Sequence, residues 1–148
     1  MEKITLSIVI PAYNEAARIG NTLDSIERYF LNNSMSFEVI VVDDGSKDDT
    51  AQVAERYASK IKNLKVLINE KNSGKGFSVK RGMLAATGEY RLFMDADNSV
   101  DISHIEAFMR ALSEGFDVAI GSIHITDTVD VSEHNGWHRR ILGSGANM

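Results

Sequence analysis

The sequence predicts an α/β domain, a three-layer sandwich with helices on both faces of a mostly parallel central sheet. Short apolar, β-branched runs recur along the chain, as in Leu6-Ser7-Ile8-Val9-Ile10 and Val39-Ile40-Val41-Val42. Between them lie stretches whose apolar residues fall at helical spacing. Acidic and glycine-containing tripeptides follow the runs directly. Strands alternating with helices imply right-handed crossovers and a parallel sheet covered on both faces, with ligands outside the carboxyl ends of the strands.

The elements follow in order. Leu6 to Ile10 reads as a strand stopped by Pro11, which has no N–H for a ladder. Ile19, Leu23, Ile26 and Phe30 form one buried helical stripe. Phe37 to Val42 reads as a strand covered on both faces. Ser46-Lys47-Asp48-Asp49 can cap a second helix with Val53, Ala54, Tyr57 and Ile61 on its inner face. Leu64 to Ile68 is a third strand. Ser78 to Thr87 is a helix with Val79, Met83 and Ala86 inward and Gly88 as its stop. Tyr90 to Met94 is a fourth strand, Ser103 to Ser113 a helix ending near Gly115, and Val118 to Ile120 a short fifth strand.

At 148 residues the chain suits one domain with a full core. Apolar residues make up 43% and charged residues 25%, as in an ordinary globular protein. The net charge of −5, with no run of five or more like charges, argues weakly against a nucleic-acid partner. The absence of cysteine removes disulfides, thiolate metal sites and thiol nucleophiles, and fits a reducing compartment. The longest apolar runs are strand-sized, so no membrane span is expected, and no signal peptide is legible at the N-terminus. A cytoplasmic location is the expectation.

Three strand ends carry the chemistry. In Asp95-Ala96-Asp97, two carboxylates one residue apart can both give oxygens to a hard divalent cation. Such an ion neutralises charge on a leaving diphosphate; the bland alternative is a solvated acidic turn. In Asp43-Asp44-Gly45-Ser46, Asp43 can accept a hydrogen bond from a base N–H, or the segment can simply cap a helix. After the first strand, Tyr13 can stack on a base or join the core, and Glu15 can receive base or ribose or sit in a helix's first turn. Asn72-Ser73-Gly74-Lys75-Gly76 offers backbone N–H groups and the Lys75 cation to phosphate, or is an exposed turn. It is not a Walker A loop. Arg139-Arg140 meets phosphate or solvent, and the histidines form no zinc-spaced pair.

Taken together, Ser7 to Glu15, Val41 to Thr50 and Asp95-Ala96-Asp97 resemble family two glycosyltransferases of the GT-A fold, a Rossmann-like α/β/α sandwich. The resemblance runs from about Leu6 to Asn147. Within the family the chain is most similar to polyprenyl-phosphate glycosyltransferases, which include dolichyl-phosphate mannose synthases and dolichyl-phosphate β-glucosyltransferases. Gly74-Lys75-Gly76 followed by Arg81 to Glu89 looks like the glucosyltransferase branch. Gly136 to Leu142 and Gly145-Ala146-Asn147 look like a region common to both.

The resemblance implies nucleotide contacts from Pro11, Ala12, Tyr13, Glu15, Val41 and Asp43. It implies metal and diphosphate contacts from Asp95 and Asp97, beside the Ala96 backbone, with Mg2+ or Mn2+ as cofactor. Residues 1–121 would form the nucleotide-sugar-binding core, and 122–148 the start of an acceptor-side region that is cut short. The implied reaction is inverting: hexose passes from a UDP-glucose or GDP-mannose type of donor to a polyprenyl phosphate. The acceptor would sit at the inner face of a membrane, in cell-envelope biogenesis, and an oligomer is left open. Two departures stand out: Ile123 follows Gly121-Ser122, and Gly143-Ser144 precedes Gly-Ala-Asn, where the family usually has arginine. Transfer to a saccharide acceptor in cell-surface polysaccharide synthesis, or non-catalytic nucleotide-sugar binding, are the alternatives. A phosphoacceptor signalling domain is set aside, because its acidic pair follows the first strand.

Overall fold

The computed structural model describes residues 3–121. Residues up to His104 form one compact unit, and Ile105 begins a second. The first unit holds β1 (Leu6–Ala12), α1 (Ile19–Leu31), β2 (Phe37–Asp43), α2 (Thr50–Glu55), β3 (Leu64–Ile68), α3 (Lys75–Ala85) and β4 (Tyr90–Phe93). All strands pair in parallel, in the order β3-β2-β1-β4.

This order follows from the crossover rule. The chain steps outward from β1 to β2 to β3, then returns across the sheet to place β4 on β1's other side. Right-handed crossovers in opposite directions put their helices on opposite faces. Accordingly α2 packs on α1, β2 and β3, whereas α3 packs on β1 and β2. Every residue of β1 is buried, as a central strand covered on both faces requires. Phe30 of α1 stacks on Phe37 of β2 at 4.0 Å between ring centroids. On the other face Val9, Ile40, Val42 and Ala86 form a cluster with Leu67, Met83 and Ala85 packed against it.

Three expectations are corrected in the first unit. Pro11 does not stop β1 but lies inside it, opposite Val42. Val9 accepts a hydrogen bond from Met94 N, so alternation turns Pro11 toward the same side. The last β1–β4 pair is Val9 with Phe93, so no partner there needs a Pro11 N–H. Helix α3 starts at Lys75, before Ser78, and its fully buried positions are Ser78 and Gly82, with Val79 only half-buried. A Cβ on Gly82 would lie 2.3 Å from Val9 Cγ1, so the glycine lets the helix sit close on the sheet. Gly88 is likewise set by close approach, since its Cβ would come 2.6 Å from Ser7 N.

In the second unit, α4 (Ile105–Ser113) is followed by a turn at Gly115 with φ 101°. Val118 to Ile120 does not form the expected strand: Val118 and Ile120 are 73% and 85% exposed. A strand exists only through a pairing neighbour, and none engages this segment among the described residues. No described helix is long and apolar enough to cross a membrane.

Candidate functional site

Since β4 lies on one side of β1 and β2 and β3 on the other, the chain reverses direction at β1. Ligand crevices in open α/β sheets form at such a switch point, beyond the strands' carboxyl ends. A cavity of about 350 Å³ opens there, of the size that holds a small-molecule ligand. Its wall from β1 is Pro11, Ala12, Tyr13 and Glu15; its wall from β4 is Asp95, Ala96 and Asp97. Asp44, Asn72, Gly74, Lys75 and Ser78 close the third side.

Each wall is held by hydrogen bonds between loops. Asn14, at φ 55°, donates its N–H to Ser46 Oγ at 2.9 Å and accepts from Lys47 N at 2.8 Å. Glu15 N donates to Thr50 Oγ1 at 2.8 Å, and Ala16 N to Asp48 Oδ2 at 3.2 Å. The loop after β1 is thus fastened to the start of α2. On the β4 side, Thr22 of α1 donates Oγ1–H to the Ala96 carbonyl at 2.7 Å. Ala96 is buried, and this anchor turns its two acidic neighbours outward.

The third side depends on Asp44. Its carboxylate accepts from Ser73 N at 3.0 Å, Gly74 N at 2.7 Å and Asn69 Nδ2 at 2.6 Å. Burial pushes its pKa up, but these donors outweigh burial and leave it below the usual carboxylate range. Asn69 Nδ2 also donates to Ser78 Oγ at 2.9 Å, and Arg81 Nη1 donates to Asn69 Oδ1 at 2.5 Å. Gly45 comes so close to this loop that a Cβ would lie 2.7 Å from the Lys71 carbonyl carbon. The result is a fixed start for α3, from which Lys75 reaches Asp95 Oδ1 at 2.5 Å.

The structure therefore brings together Pro11, Ala12, Tyr13, Glu15, Lys75, Asp95, Ala96 and Asp97 of the expected residues. Val41 and Asp43 are not in the lining. Val41 is fully buried in β2, in register with Ile10 and Val66. Asp43 is 4% exposed, and its Oδ1 accepts from Ser46 N at 3.1 Å and from the Ser46 hydroxyl. Glu15 grips Arg18 through both carboxylate oxygens, each at 2.6 Å. Sequence reading gave no separate role to Asp44 or Ser78. The available signal was the doubled aspartate before a glycine, which has φ 70° at Gly45. Ile123, His124, His134, Arg139, Arg140 and Ser144, with the segments 136–142 and 145–147, lie outside the described residues.

The acidic pair fits a hard cation. Asp95 and Asp97 are both exposed on one cavity wall. The Ser99 hydroxyl and N–H hold the Asp97 carboxyl below its ordinary pKa, so it stays ionised. Among the described residues no group of three or more acidic or histidine side chains could hold an ion by itself. An ion held by this pair would take few protein oxygens and complete its shell with water and phosphate, as Mg2+ and Mn2+ do.

Residues 7–146 match the family described as Glycosyl transferase family 2. The chain belongs to this family. It is 34% identical over 157 residues to a dolichyl-phosphate beta-glucosyltransferase of Dictyostelium discoideum, covering 98% of this chain and 48% of the relative. S. aureus TarS 1-349 in complex with UDP superposes with a TM-score of 0.64 at 33% identity, over 75% of this chain and 32% of that one. The mannosyltransferase PcManGT of Pyrobaculum calidifontis, in complex with GDP-Man and Mn2+, gives 0.56 at 28% identity, over 66% and 28%. The fold is GT-A, as the resemblance of the strand-end motifs implied. The chain spans about half the length of the curated relatives it matches.

Proposed function

We propose that this chain is the donor half of a hexosyltransferase that moves a sugar from a nucleoside diphosphate to a polyprenyl phosphate. One observation carries the reading. A single cavity gathers an exposed aromatic ring (Tyr13), a pair of outward carboxylates (Asp95, Asp97) and a cation (Lys75), on three separate elements. These are the groups that a base, a metal-bound diphosphate and its remaining charge call for. Relatives support the rest: one is a dolichyl-phosphate glucosyltransferase, and structural neighbours carry UDP or GDP-Man, one of them with Mn2+.

In this reading the Tyr13 ring, 39% exposed, lies against the base. Asp43 lies outside the lining with Oδ1 committed to Ser46, so a base N–H would have to reach its other oxygen. Val41, fully buried in β2, would act only by supporting the strand that carries Asp43. Asp95 and Asp97 hold Mg2+ or Mn2+, which neutralises charge on the departing diphosphate. Lys75 adds a second positive group from the third side of the cavity. The lipid phosphate oxygen attacks the anomeric carbon from the side opposite the nucleoside diphosphate, so configuration inverts. A phosphate is already ionised at neutral pH, and alignment and charge carry the acceleration without a strong base. A lipid acceptor places the working protein at a membrane surface.

Calorimetry with UDP and GDP, with and without Mn2+, tests the donor site. Nucleotide binding is expected to require the ion. Asp95→Asn combined with Asp97→Asn is expected to weaken it by roughly 100-fold or more, since both metal ligands lose their charge. Unchanged affinity in the double variant overturns the reading. Donor binding without sugar transfer, in a longer form of the protein given dolichyl phosphate, would favour a non-catalytic nucleotide-sugar-binding role.

A further inference from the structure

The donor site as read above gives Asp95 two claimants. Lys75 Nζ lies 2.5 Å from Asp95 Oδ1, on a carboxylate that the metal also needs. A divalent ion bound to that oxygen and an ammonium at this distance repel one another. The two side chains are 57% and 49% exposed, so water screens their attraction and the pair exchanges readily. The root of Lys75 cannot move far: Asp44 holds Ser73 and Gly74, the two residues before it, and Asn69 ties Asp44 to Ser78 within α3. A flexible four-carbon stem on a fixed root lets the charge swing while the helix stays put.

We propose that Lys75 is an exchange residue, which neutralises Asp95 before donor binds and passes to the donor's diphosphate as the divalent ion takes Asp95. The proposal rests on the donor site and adds a sign to it. Lys75 competes with the ion when the ion comes alone. Once the diphosphate is present, the same ammonium has a new anionic partner and no longer opposes the ion. Lys75 therefore couples the two ligands, so that each raises the other's affinity. Two other acidic residues of the lining are already engaged, Glu15 by Arg18 and Asp44 by Ser73, Gly74 and Asn69, and offer Lys75 no equal alternative.

The test is calorimetry on the 148-residue chain with Mn2+ alone, UDP alone, and UDP in saturating Mn2+. Lys75→Met keeps the stem and removes the charge. It is expected to bind Mn2+ alone roughly threefold tighter or more, and UDP with Mn2+ about tenfold weaker or more, so that the coupling shrinks. Lys75→Arg keeps the charge and is expected to retain most of the coupling. Should Lys75→Met lose the circular dichroism of the wild type, Lys75→Gln carries the same comparison. Mn2+ binding that is unchanged or weaker on loss of the charge overturns the exchange, as does unchanged UDP affinity in Mn2+. Failure of the donor site itself looks different: the wild type then binds UDP no better with Mn2+ than without it.

Discussion

Glu38 at the amino end of the sheet and the Asp95–Asp97 pair at its carboxyl end handle negative charge in opposite ways. At the amino end, Glu38 of β2 is 2% exposed and accepts hydrogen bonds from three residues. Ser7 Oγ donates to it at 2.6 Å, Thr87 N and Thr87 Oγ1 at 2.7 Å each, and Lys65 Nζ at 2.9 Å. Ser7 Oγ in turn accepts from Gly88 N at 2.8 Å, which fastens the turn before β4 to β1. Burial alone would push the Glu38 pKa up, but these donors outweigh it and bring it from 4.5 down to about 2. At the carboxyl end, Asp95 and Asp97 are exposed and share one wall with a cavity beside them. A carboxylate whose acceptor positions are filled from within the fold holds the fold together. One that keeps open positions toward a cavity is available to a ligand.

Substitutions at the two ends should separate these roles. The largest effect is expected from Asp95→Asn with Asp97→Asn. Mn2+-dependent UDP binding should fall by roughly 100-fold or more while thermal stability changes little, because exposed polar positions seldom matter to folding. A large drop in melting temperature would erase the contrast. Next comes Glu38→Gln, expected to cost on the order of 3 kcal/mol near neutral pH, read by urea unfolding. The folded pKa lies below the unfolded one, so the ionised group stabilises the fold above pH 4.5, and that contribution is lost as pH falls toward 2. The gap between wild type and variant should therefore be full at neutral pH and close progressively in acid.

Asp44→Asn should fall between the two classes. It removes an acceptor from the Ser73, Gly74 and Asn69 donors, at a cost of roughly 1–2 kcal/mol. By loosening the root of Lys75 it should also weaken UDP binding several-fold, measured by the same calorimetry. Stability loss without any loss of affinity would make Asp44 part of the scaffold only. The smallest effect is expected at Lys3, whose ion pair with Glu89 is 82% and 50% exposed. Lys3→Ala should leave the melting temperature unchanged within error, because water and salt screen such a pair.

Much of this was legible in the sequence for local reasons. Four strands showed themselves as short apolar, β-branched runs and four helices through period, and the carboxyl-end loops were recognisable because acidic and glycine residues followed apolar runs. The exceptions have physical causes. Pro11 reads as a strand stop unless one knows that β4 ends before reaching it. Gly82 reads as a weak helix position until Val9 is found 2.3 Å from where its Cβ would be. Asp43 and Asp44 are equivalent in a string of letters, yet one engages Ser46 and the other supports the loop before α3. Val118 to Ile120 has a strand's composition, but composition supplies no pairing partner.

The sequence by itself determined which residues could carry charge and where strands would deliver them, since periodicity and strand ends are properties of neighbours along the chain. Only the tertiary structure decided which carboxylates are spent on the fold and which remain open. It brought Lys75 within 2.5 Å of Asp95, twenty positions later in the chain. Hydrogen bonds and ion pairs of that kind depend on distances between segments, and those are set by the crossover that carries β4 back to β1.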